Sequence, residues 1–286
     1  MKQRMSTSEI PYVKLCWNPG GCGCSRRCDG CWAIATGKRM ACPDCRAFRT
    51  HFHPERLTAP ERRKKPATIG VQFTGDLFDP QRDIGQIVAV LDAMRAAPWH
   101  TYVLLSQQPE LMRGMLEQWC KLRGLPRLPD NWYVGATVRD QTQYDATMPH
   151  LASIPGRVWL SLEPLSGPID LRLCDRQDPI RGNEDSAVGY DRCSSGKHWS
   201  PMFGGPWCGV ECVVVGHDNR ASAAGTDTLA NVFSVVSQCV AAGVPVYVKQ
   251  LWFEKGGKRR LYHDPSDFPP VLQRRELAWP TPEDRS

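Results

Sequence analysis

Short apolar runs and longer amphipathic segments alternate six or seven times along this sequence, and few folds accommodate that rhythm. The strand-length runs are Tyr12–Trp17, Thr68–Thr74, Thr101–Ser106, Trp132–Val138, Val158–Leu162, Glu211–Gly216 and Val244–Gln250. They are rich in β-branched and aromatic residues and often continuously apolar, as strands buried on both faces are. Between them, Asp83–Ala97 places Ile84, Ile87, Val88, Leu91 and Met94 at helical spacing, and Leu229–Val240 does the same with Leu229, Val232, Phe233, Val236 and Val240. Pro109–Trp119 and Gln141–Ala152 are weaker helical patterns. Strand alternating with helix implies a parallel sheet with right-handed crossovers. The expected class is therefore α/β, as a partial or full β/α (TIM-like) barrel of six to seven parallel strands. A doubly wound open sheet is the alternative. The barrel is expected over residues 1–261, with insertions at 37–66 and 172–209 and a Pro-containing tail over 262–286 that wraps the surface. Loops as long as these insertions usually serve a function or carry a ligand of their own.

Cysteine usage narrows the chemistry. The chain has 13 Cys in 286 residues, too few for a small disulfide scaffold and in a chain long enough to bury a core without staples. No apolar run is long enough to cross a membrane, and Met1–Tyr12 has no apolar signal region, so a cytoplasmic setting is expected. There, cysteines are thiols or metal ligands more often than disulfides.

Seven of the 13 lie in the first 45 residues. Cys24, Cys28 and Cys31 form C-x3-C-x2-C on a Gly-rich loop directly after the first expected strand. Three thiolates so closely spaced can converge on one centre. An iron–sulfur cluster uses such thiolates. A structural zinc would want a fourth ligand, from Cys22 or from the Cys42-Pro-Asp-Cys45 pair.

Several motifs in order carry a resemblance. They are Trp17-Asn-Pro, the cysteine triplet followed by Trp32, Phe52-His-Pro-Glu-Arg-Leu57, Asp76-Leu-Phe78, Leu160-Ser-Leu-Glu-Pro-Leu165 and Val213-Val-Val-Gly216. Together they resemble a phage-encoded family with a three-Cys motif, itself similar to the radical S-adenosylmethionine (SAM) superfamily in the branch of spore photoproduct lyase. The matches run from about Trp17 to Trp252. Two departures stand out. Gly30 occupies the position before the last cysteine, where the superfamily usually has an aromatic, and many family members space the first two cysteines more widely, from a Gly-Cys that would match Gly21-Cys22. Cys24, Cys28 and Cys31 are the expected ligands, with Cys22 as the rival first ligand. The resemblance implies a 4Fe–4S cluster with one open iron, SAM chelated on that iron, and reductive cleavage to a 5′-deoxyadenosyl radical that abstracts hydrogen. It also implies an external electron donor.

In a β/α barrel, functional residues gather at the carboxyl ends of strands. By resemblance, Thr74, Gly75 and Asp76 would contact the amino group of SAM. The alternative is a helix-entry turn with Asp79, before Pro80, as its cap. Ser106 ends the third strand. Glu163 could accept from the ribose hydroxyls of SAM or from substrate, or else pair with an arginine such as Arg139. Lys249 could hold a carboxylate or phosphate, or else be a surface lysine.

Two further metal sites are conceivable from spacing. Cys42 and Cys45 could hold a second metal with His51 or His53, or with Cys16 or Cys22. Cys174, Cys193, Cys208 and Cys212, with His198, could tie the second insertion. Cys120 and Cys239 fall on helical patterns and read as core residues.

The net charge of +6 is unevenly placed. Between Lys38 and Lys65 nine Lys/Arg face three Asp/Glu, and Lys255–Arg260 is a second basic run. These suit DNA or a nucleotide, and a phage setting favours DNA modification or repair. A solvated loop would account for them equally. The competing functions are a radical SAM enzyme acting on a small molecule or peptide, and a non-enzymatic zinc-stabilised binding protein.

Overall fold

A computed structural model describes residues 5–173, 209–220 and 229–280. The chain divides into two compact units, Met1–Ala136 with Trp279–Ser286, and Thr137–Ala278.

In the first unit, β1 (Ser6–Thr7) pairs antiparallel with β2 (Leu15–Trp17). β3 (Thr68–Val71), β4 (Thr101–Ser106) and β5 (Trp132–Thr137) follow in sequence order, each parallel to the one before. Between β2 and β3 lie three short helices, α1 (Trp32–Lys38), α2 (Pro43–Arg46) and α3 (Ala59–Arg62). The crossovers to β4 and β5 are α4 (Ile84–Arg95) and α5 (Pro109–Leu122). Every residue of β3 is buried, the burial that a continuously apolar run requires. α4 buries Ile87, Val90, Leu91 and Met94, while Ile84, first in the expected apolar face, is exposed. α5 buries Met112, Leu116, Trp119 and Cys120 along one stripe. The cap of α4 is Asp83, whose carboxylate accepts from Gln86 N; Asp79 is committed elsewhere.

In the second unit, α6 (Gln141–Leu151) precedes β6 (Arg157–Leu162). β7 (Val210–Val215) and β8 (Val246–Val248) join β6 in parallel, with α7 (Leu229–Ala241) as the crossover between them. Cys239 is buried on α7, as its helical pattern implied. β9 (Leu251–Lys255) and β10 (Lys258–Tyr262) form a separate antiparallel hairpin. Its turn is Gly256-Gly257, both at positive φ, as a tight hairpin turn needs.

All seven expected strands are present, and the architecture is mixed α/β with mostly parallel pairing. β1 and the hairpin are additional and antiparallel, because neither carries an apolar run long enough to show in the sequence. The tail does more than cover a surface. Val248 N donates to Arg274 O and Glu276 N to Val246 O, so residues 274–276 extend along β8. Phe268 and Leu272 are buried there, and Trp279 is buried in the first unit.

Candidate metal centre and cysteine loop

Residues 18–31 leave the carboxyl end of β2, and the end of β3 holds them. Gln72, at positive φ, turns its amide onto the loop: Gly20 N donates to Gln72 Oε1 (2.6 Å), and Gln72 Nε2 donates to Gly21 O (2.8 Å). Thr74 Oγ1 also donates to Gly21 O (2.8 Å), and Gly23 N donates to Thr74 O (3.2 Å). Gly23 and Gly75 pair as a parallel bridge so close that a side chain on Gly75 would strike Gly23 O. Ser25 closes the lacing, its N and Oγ both donating to Asp79 Oδ2 (2.5 and 2.9 Å).

Cys24, Cys28 and Cys31 are half-buried and outside any disulfide. Cys24 and Cys31 pack against the small core of Cys22, Ala33, Cys45 and Phe48. Cys28 reaches toward the end of β4, its Sγ 3.4 Å from Gln107 Oε1. Burial pushes the Cys24 thiol above its ordinary pKa. Cys22, by contrast, is buried and faces Cys45.

Asp76 and Ser106 meet under this loop. Ser106 Oγ donates to both carboxylate oxygens of Asp76 (2.8 and 3.0 Å), Gln107 N donates to Oδ2 (2.9 Å) and Phe78 N to Oδ1 (3.0 Å). Burial raises the Asp76 pKa, and these donors pull it back toward the ionised form. The buried Arg82 guanidinium spans Asp76 O and His51 O.

A second group lies beside the loop. Cys42, Cys45, His51 and His53 bring two Sγ and two imidazole nitrogens within 4.8 Å of one another. Cys45 Sγ is 3.3 Å from His51 Nε2 and 3.9 Å from His53 Nε2; Cys42 Sγ is 3.7 Å from His51 Nε2. The outer ring nitrogens are engaged as well, His51 Nδ1 with Arg49 O (2.7 Å) and His53 Nδ1 with Glu55 Oε1 (3.1 Å). Burial lowers the His53 pKa, and the Cys45 thiol is pushed up to about 12, chiefly by burial. Such a Cys2His2 set could hold a metal ion such as zinc. Of the partners expected for Cys42 and Cys45, both histidines join the group and neither Cys16 nor Cys22 does. Cys16 Sγ instead donates to Ser8 Oγ (3.4 Å), and Cys22 contributes its backbone N–H to Cys45 Sγ (3.3 Å).

Residues 7–265 match the profile of the family described as Protein of unknown function (DUF5131). The chain belongs to the DUF5131 family. Comparison with curated proteins and with solved structures finds no match.

The second unit of this DUF5131 chain holds the other two expected site residues. Glu163 pairs with Lys249 (Oε1 to Nζ, 3.0 Å) rather than with Arg139, and both side chains are largely buried, so Lys249 is not a surface lysine. Gln250 Nε2 joins Glu163 Oε1 (3.2 Å) and His217 O (2.6 Å). Cys212 is buried on β7 with its Sγ directed at Glu276 O. Cys174, Cys193, Cys208 and His198 lie outside the described residues.

Gln72 and Asp79 fix the loop without a motif of their own in the DUF5131 sequence, and Arg82 ties Asp76 O to His51 O beside it. Only Asp79 gave a signal, its place before Pro80, and that pointed to a helix cap.

Proposed function

We propose that this chain is a radical SAM iron–sulfur enzyme acting on nucleic acid or a nucleotide in a modification or repair reaction. One observation carries the reading: three half-buried thiols outside any disulfide stand on the loop leaving β2, laced to the carboxyl end of β3. The donor set fits a cluster. Cys24, Cys28 and Cys31 would bind three irons and leave the fourth for SAM, and Cys22 is buried against Cys45 instead. When bound, such a cluster supplies an electron, taken from an external donor, to the sulfonium of SAM.

The chain's own residues would fix the geometry. Gln72, Thr74 and Asp79 set the path of the cysteine loop. The contacts to Asp76 occupy both its oxygens, so with Ser106 it positions Gln107 and the end of β4, and the SAM amino group would be met by the second lone pair of Thr74 O, whose first accepts from Gly23 N, or by Gly75 O. Glu163 and Lys249 offer a paired anion and cation suited to hydroxyl and carboxylate or phosphate groups. The same proposal includes a β/α barrel, the architecture in which strand-end residues converge.

Anaerobic purification and reduction test it. Iron and sulfide should be present, and 5′-deoxyadenosine should form with SAM. Cys28→Ala should lose the cluster absorbance. A colourless protein with zinc and no iron after reconstitution would overturn the reading in favour of a zinc-stabilised binding protein, for which the Cys2His2 group speaks.

A further inference from the structure

His51 and His53 face each other through Nε2, 3.0 Å apart. Each Nδ1 lies against an acceptor with no proton of its own, a backbone carbonyl for His51 and a carboxylate for His53. Each Nδ1 therefore carries the ring proton, and the two Nε2 atoms present bare lone pairs to one another. Two lone pairs at that distance repel unless a cation lies between them. A proton on one ring would serve for the histidines alone. It leaves unexplained why two cysteine sulfurs close on the same point.

The separations are close to those around a metal ion. Zinc bonds of about 2.3 Å to sulfur and 2.0–2.1 Å to nitrogen, arranged tetrahedrally, put ligand atoms roughly 3.3–3.8 Å apart. Four of the six separations among these atoms are 3.0, 3.3, 3.7 and 3.9 Å, and all six lie within 4.8 Å. The Nδ1 contacts are the outer-shell partners that orient metal-bound imidazoles. Four protein ligands leave no open position, so such a site is structural rather than catalytic.

The site also grips the segment that precedes the cysteine triplet. Cys22 N–H points at Cys45 Sγ, and His53 N donates to Pro19 O (2.7 Å). Gly21 sits at positive φ with no room for a Cβ against the His51 ring, and a Cβ on Gly37 would press on Cys45 O. Residues 19–23 are thus bound on one side by β3 and on the other by the would-be ligands.

We propose that Cys42, Cys45, His51 and His53 bind one zinc ion in a closed structural site, and that this ion clamps the loop bearing Cys24, Cys28 and Cys31. The importance of the clamp for cluster loading rests on the iron–sulfur reading; the zinc site does not. Metal analysis of the full-length protein, purified from zinc-supplemented medium, should find one zinc per chain. His51→Ala and His53→Ala combined should lose most of it, while Cys28→Ala keeps it. Zinc absent from the wild type, or retained in full by the double variant, overturns the site. Because the double variant could fail to fold, cobalt(II) is exchanged into the wild type as well. Intense visible bands of a tetrahedral sulfur–nitrogen site are expected, and weak octahedral bands overturn the assignment. For the clamp, alkylation of Cys24, Cys28 and Cys31 should accelerate several-fold once zinc is chelated, with Cys120 and Cys239 unchanged. Equal rates with and without zinc overturn it. Zinc present with no iron would sink the iron–sulfur reading and leave the zinc site standing.

Discussion

Ser106 shows how a buried charge is tolerated here. Its hydroxyl bridges both oxygens of Asp76, whose pKa burial raises. Ser106→Ala removes one donor from a buried carboxylate and should cost about 1–3 kcal/mol. The cost should depend on pH. A carboxyl pKa above its ordinary 3.8 gives stability that is fully present below the unfolded value and lost as pH rises through the folded one. Losing a donor raises the folded pKa further, so the variant should suffer more at neutral than at acid pH. Urea unfolding at both pH values measures this, and an equal loss at the two would refute it. Gly21 is a second sensitive residue. Gly21→Ala must adopt positive φ and displace the His51 ring, so it should unfold at lower temperature than the wild type by several degrees and bind less zinc. Wild-type melting and zinc content would show that the close approach does not matter.

The tail shows what a segment with only single helical turns and an isolated bridge can contribute. Trp279 is buried, its ring against Tyr12 and Tyr133 and its N–H on Tyr12 O (3.0 Å), and Pro280 O accepts from Thr68 Oγ1 (2.7 Å). Trp279→Ala should cost about 3–5 kcal/mol. A loss under about 1 kcal/mol in denaturant melts would mean that the tail is merely draped. Nothing in the tail's polar, Pro-rich pattern foretold this, because burial of one ring leaves no periodicity. The parallel strands and α4 to α7 were legible because their burial is periodic or continuous. α1 was not: it follows the cysteine triplet, holds Gly37 and buries only Ala33 and Gly37. β10 was equally opaque, since Lys258-Arg-Arg has no apolar face. The C-x2-C spacing marked one half of the Cys2His2 group, but it left His51 and His53 as alternatives to each other and to Cys16 or Cys22, because two histidines separated by a single residue do not follow the wider spacing of zinc fingers. Their convergence depends on the fold of residues 42–53, which spacing does not encode.

Across the whole molecule, the excess positive charge gathers in two places, and each can be tested alone. In the first unit part of it is already engaged: Arg49 pairs with Asp44 (2.7 Å), Arg56 donates to Asn18 O (2.8 Å) and Lys64 lies over Trp99 (4.9 Å). In the second unit Lys255 pairs with Asp267 (2.7 Å), but Lys258, Arg259 and Arg260 are exposed on β10, and among the described residues no acid pairs with them. The hairpin is thus the less committed of the two, and if the substrate is a nucleic acid it should supply more of the phosphate contacts. Each contact releases counterions and steepens the fall of affinity with salt, by about 0.9 in the log–log slope for duplex DNA. Lys258→Ala, Arg259→Ala and Arg260→Ala combined should therefore weaken DNA binding uniformly across sequences and flatten the slope by up to about 3. Arg62→Ala, Arg63→Ala and Lys65→Ala in the first unit serve as the matched set and should flatten it less. Fluorescence anisotropy over a salt series reads both. Affinity independent of salt in the wild type would remove nucleic acid as the partner and return the enzyme reading to a small molecule or peptide.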